Sequence, residues 1–127
     1  MNNALLLDTN ILIDALRKHS SAVNYVNSLE GEISISIVTA VELILGTKNL
    51  KEQRDVEDFL ADLNVIHIDE KISMFAYLLI IENRLKEGIE FDDAVIAATA
   101  IVCGYTFVSR DIKHFKKIPG LKLSVPY

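Results

Sequence analysis

The chain has 127 residues, half of them apolar, and a formal net charge of −5. With a positive mean hydropathy, that composition excludes a disordered chain and suits one domain over residues 1–127 with a buried core. The acidic balance excludes a protein that coats polyanions indiscriminately, because such binding needs a basic surface.

In chain order, residues 4–7 are wholly apolar, as in a strand buried on both faces. Residues 11–17 and 21–29 read as helices. Residues 32–38, "EISISIV", alternate and are β-branched, which predicts a strand. Thr39 is expected to cap a helix running to Thr47. Residues 51–63 place Val56, Phe59, Leu60 and Leu63 at helical spacing. A third strand is expected over 64–68 and a long helix over 70–86, ended by Gly88. Asp92 or Asp93 should cap a helix that reaches Cys103 and stops at Gly104. Residues 105–109 and 121–125 supply the fourth and fifth strands. Strands alternating with helices imply an α/β fold with a mostly parallel sheet covered on both faces. In such sheets ligands bind beyond the carboxyl ends of the strands.

The apolar runs 75–81 and 94–103 are too short to span a bilayer, and no signal peptide is expected from Met1-Asn2-Asn3. The single cysteine, Cys103, allows no internal disulfide. It fits a reducing cytoplasm and is expected to be a small core residue. The apolar composition also hints at a face covered by a second copy or a partner.

Four carboxylates stand where a solvated surface would not put them. Asp8 ends the first strand and opens a helix, so a capping role is open to it. Glu42 has Val38, Thr39, Leu45 and Gly46 as its helical neighbours, an apolar or small stripe. A capping box with Thr39 is the alternative. Unpaired and buried, Glu42 would cost several kcal/mol, so it needs a cation. Asp93 shares a helix face with Ile96 and Ala97 and is preferred over Asp92 as the ligand. Asp111 follows the fourth strand, where a turn or cap is again the alternative. If that strand lies beside the first, Asp8 and Asp111 become neighbours. Four such acids repel unless divalent cations lie among them, and oxygen-only ligation favours Mg²⁺ or Mn²⁺ over zinc.

The segments "LLLDTNILID", "TAVELILG", "DAVIAATA" and "FVSRDIKHFKKIPGL", in that order, resemble PIN domains, and among them the VapC toxins of toxin–antitoxin pairs. The resemblance covers nearly the whole chain. It implies a three-layer α/β/α fold on a five-stranded parallel sheet and a metal-dependent endoribonuclease. It places Asp8, Glu42, Asp93 and Asp111 in an acidic site for Mg²⁺ or Mn²⁺, with Thr9, Asn10 and Ser109 in support. It further implies an RNA substrate, a VapB-type antitoxin and a homodimer. Two departures stand out. Related chains often carry Asn where this one has Asp111, and an acid where it has His114.

On that reading the cations activate water at a phosphodiester and stabilise the leaving 3′-oxygen. Arg110, Lys113, Lys116 and Lys117 form a local basic run that could grip the RNA backbone, or a solvated turn. His19, His67 and His114 are read as non-ligands. A phosphorylated receiver domain would need paired acids after the first strand and a lysine after the last. Here Asp8 is followed by Thr9 and Asn10, and the fifth strand leads to Pro126. Asn10 also occupies the second position of a two-aspartate phosphatase. The remaining alternatives are a nuclease that matures RNA outside any toxin pair, and an inactive PIN-like binding module.

Overall fold

A computed structural model describes residues 4–30, 32–86 and 88–127. The expectation for the first three residues lies outside them. The elements in chain order are β1 (Leu5–Leu7), α1 (Thr9–Leu16), α2 (Ser20–Ser28), β2 (Ser34–Ser36), α3 (Ile37–Leu45), α4 (Leu50–Ala61), β3 (Asn64–Ile66), α5 (Glu70–Asn83), α6 (Phe91–Cys103), β4 (Thr106–Val108), α7 (Ile112–Phe115) and β5 (Leu123–Ser124).

The sheet order is β3-β2-β1-β4-β5, and every pairing is parallel. β1 is central, with Leu5, Leu6 and Leu7 opposite Thr106, Phe107 and Val108 of β4. Side chains alternate across a strand, and the two cores follow from that alternation. Leu6 and Phe107 face α5, α6 and α7, packing with Ile72, Leu79, Ala94 and Phe115. Leu7 and Val108 face the other way, with Ile11, Leu12, Leu43 and Val56 of α1, α3 and α4. The architecture is therefore the expected α/β/α sandwich, with β4 beside β1.

Three local expectations need correction. The second strand stops at Ser36, whose hydroxyl accepts from the Val38 amide at 3.0 Å. That cap draws Ile37 and Val38 into α3 despite their β-branching, and Thr39 becomes a buried interior residue. The long helix ends at Asn83, well before Gly88. Cys103 is exposed, not core. The buried run of α6 extends from Ala94 to Ala100, Ile101 and Val102 are partly buried, and Cys103 at the helix end is exposed. Gly104 does end that helix, in the left-handed region at φ 71°, where a glycine pays no Cβ penalty. Among the described residues no helix is long and apolar enough to cross a membrane.

Candidate active site

The carboxyl ends of β1 and β4 lie side by side, because the ladder continues from the Asp8 amide to the Val108 carbonyl at 2.8 Å. Asp8 is therefore buried, at 6% exposure. One of its oxygens caps α1 by accepting from the Thr9 amide at 2.8 Å. The other accepts from the Ser109 hydroxyl at 2.7 Å. The helix cap and the Ser109 bond thus coexist in one side chain. Burial pushes the Asp8 pKa up, more than these hydrogen bonds pull it down, and the charges of Asp111 and Asp92 push it further.

Ser109 is the hub of this edge. Its oxygen also accepts from the Asp111 amide at 2.9 Å and from the Asn10 side-chain amide at 3.3 Å. Asp111 is tied to His114 in turn. It accepts from the His114 amide at 3.2 Å, capping α7, and lies 2.7 Å from His114 Nδ1.

Glu42 reaches the edge from α3. It makes no capping box with Thr39. It accepts from the Thr9 hydroxyl at 2.6 Å. The Thr9 and Thr39 hydroxyls lie 3.0 Å apart. Thr9 has a single hydroxyl proton, directed at Glu42, so Thr39 donates to Thr9. The Glu42 pKa is raised by burial, and further by Asp92 through a hydrogen bond and through its charge.

Asp92 and Asp93 open α6 in its first turn, where the helix dipole favours acids. Neither is the expected cap residue. Glu90 occupies that position without a side-chain bond, and Asp92 accepts from the Asp93 amide at 2.9 Å. Asp93 is pushed up to about 6, by burial first and then by Asp92 and Asp8, against the pull of His114. Asp92 raises Asp8, Glu42 and Asp93 alike. It belongs to the cluster as much as Asp93 does, although the sequence reading set it aside.

Five acids from separate parts of the chain therefore share one electrostatic neighbourhood. Among the described residues, no three close on a common point as a formed metal cage. Their donor chemistry nevertheless fits a hard divalent cation, because all are carboxylates and their mutual repulsion is what such an ion relieves.

The basic run does not stay together. Lys113, Lys116 and Lys117 are exposed on and after α7. The Arg110 guanidinium instead donates to the Tyr127 main-chain oxygen and lies 4.6 Å from the centre of the Tyr127 ring. Beside the acids, Ile13, Leu16, Leu43 and Val56 line an apolar groove between α1, α3 and α4, with Glu42 and Glu52 on its wall.

The PIN domain family profile matches residues 5–121. The chain belongs to the PIN-domain family. This PIN domain is 35% identical to Ribonuclease VapC1 of Methanocaldococcus jannaschii, over 94% of this chain and 85% of that protein. It superposes on a VapBC2 structure from Rickettsia felis, bound to a promoter DNA fragment, with a TM-score of 0.81 and 32% identity, covering 94% of this chain and 96% of that one. A toxin–antitoxin complex from Klebsiella pneumoniae gives a TM-score of 0.82 at 29% identity, covering 97% and 98% of the two chains.

Proposed function

We propose that this PIN domain is a Mg²⁺- or Mn²⁺-dependent endoribonuclease acting in the cytoplasm as the toxin of a VapBC-type pair. The observation that carries the proposal is the convergence of Asp8, Glu42, Asp92, Asp93 and Asp111, in which burial and the neighbouring carboxylate charges raise the pKa values of Asp8, Glu42 and Asp93. The likeness to proteins named as VapC ribonucleases supports RNA as substrate.

Asp8, Glu42, Asp93 and Asp111 would hold the cation, with Asp92 adding negative charge beside them. A bound divalent ion would supply Lewis acidity for water activation and neutralise the phosphodiester. The protein's own part is orientation. Ser109 fixes one oxygen of Asp8, Thr9 aims Glu42, and the His114 ring braces Asp111. These bonds leave the acids little freedom to turn away.

Solved neighbours that are toxin–antitoxin complexes support an antitoxin partner. An antitoxin segment with apolar and basic side chains would fit the α1/α3/α4 groove, where Glu42 is shared with the acidic site. We further propose a homodimer through α5. Met74, Tyr77, Leu78 and Ile81 form an exposed apolar stripe along it. Asp69 and Glu70 lie at one end and Arg84 and Lys86 at the other, so a two-fold antiparallel pairing brings opposite charges together.

The test is cleavage of a defined single-stranded RNA by the purified protein. Cleavage should need Mg²⁺ or Mn²⁺ and stop with EDTA. Asp8→Asn and Asp93→Asn should each lower the rate by about a hundredfold or more with an unchanged circular dichroism spectrum. Wild-type rates in both variants would reject the site.

A further inference from the structure

We propose that Tyr127 is a positioning residue, a latch that holds the Arg110 guanidinium away from the acidic cluster and so leaves that cluster's cation site to a divalent ion. The inference rests on reading the cluster as a cation site. Arg110 lies between Ser109, which is bonded to Asp8, and Asp111. A long, permanently charged side chain in that position is flanked in sequence by Ser109, which holds Asp8, and by Asp111 of the cluster, and guanidinium–carboxylate pairing is strong and bidentate. Left to itself, Arg110 is an internal competitor for the site.

The structure directs it elsewhere. The guanidinium donates to the Tyr127 main-chain oxygen and sits over the Tyr127 ring, 4.6 Å from its centre, a cation–π distance. The ring is itself anchored. Its hydroxyl donates to Asp14 of α1 at 3.0 Å. His19 stacks on it with a centroid separation of 5.8 Å, and Tyr25 of α2 tilts against it. Because the ring makes these contacts, the main-chain oxygen that receives Arg110 is held where the ring is held. The electrostatics agree with the geometry. Arg110 lowers the Tyr127 pKa against its other influences.

The test measures Mn²⁺ binding to the full chain by calorimetry and electron paramagnetic resonance, so that it does not depend on catalysis. Tyr127→Leu keeps apolar bulk against α1 and α2 but removes the ring face and hydroxyl. It should weaken Mn²⁺ binding roughly fivefold or more. Tyr127→Phe keeps the face and should stay near wild type. Arg110→Gln combined with Tyr127→Leu should restore wild-type affinity, since the competitor is gone. If the wild type itself fails to bind Mn²⁺, the cation-site reading fails and the latch falls with it. If the wild type binds and Tyr127→Leu binds equally well, the latch alone is wrong. Weak binding that the Arg110→Gln change does not rescue also overturns it, because the ring would then act only as local support. Should Tyr127→Leu not fold, the wild type still decides. On Mg²⁺ titration the Arg110 Nε–H resonance should stay in place. A shift as large as that of the Asp93 amide would put the arginine among the acids.

Discussion

Asp93 carries a charge that the metal-free fold disfavours. It titrates near 3.8 as an unperturbed side chain and near 6 in the fold. Between those values the folded protein holds an extra proton, so the stability this group contributes is present at low pH and lost as pH rises through about 6. Asp8 and Glu42 shift in the same direction. In EDTA the melting temperature should therefore fall from pH 5 to pH 7.5. Asp93→Asn should flatten that slope and raise the midpoint at pH 7.5 by about 2–4 °C, as read by scanning calorimetry. A midpoint lowered by the substitution would show that the carboxylate stabilises the fold after all. Protons and cations compete for the same oxygens, so Mn²⁺ affinity should weaken below about pH 6. At this scale Asp8, Glu42, Asp93 and Asp111 were legible as candidates because each falls at a strand end or near a helix start on the carboxyl side of the expected sheet. Asp92 was not, since two adjacent acids at a helix start look alike until their neighbours are known. The partner of Glu42 was not legible either. Thr9 and Glu42 are separated by 33 residues, and only the packing of α1 on α3 brings them together.

Among the elements, α6 does most to place the site. Seven consecutive residues, Ala94 to Ala100, are buried, which no single amphipathic face could achieve. The alanines allow α5 and the sheet to approach closely, and that approach sets where Asp92 and Asp93 emerge. Ala97→Leu should cost about 1–3 kcal/mol through overpacking, measurable by urea denaturation, and should lower the cleavage rate by displacing the helix start. A neutral effect on stability would mean that space remains beside Ala97. Element types other than the short α7 were readable in advance from periodicity, and the ends were not. The start of α3 moved because the Ser36 cap outweighed the strand preference of Ile37 and Val38. The end of α5 moved because apolar pattern alone does not show where the helix unwinds.

At the scale of the whole molecule, α5 carries an exposed apolar stripe. Met74, Tyr77 and Ile81 are each more than half exposed, at 60%, 65% and 52%, on the face opposite the core. The proposed second copy would cover them. Light scattering after gel filtration should give a dimer for the wild type and a monomer for Ile81→Glu, whose buried charge would lack a partner. A dimer that survives the substitution would move the interface elsewhere.

Local patterns in the chain determined the order of strands and helices, the parallel α/β class, and which acids are too expensive to bury without company. Those are properties of neighbours within a few positions, where periodicity and caps act. Tertiary structure decided which strands adjoin, that Asp92 joins the cluster, and that Arg110 turns to Tyr127 instead of the acids. Such choices depend on contacts between residues far apart in sequence, and composition or spacing cannot encode the direction in which a side chain points.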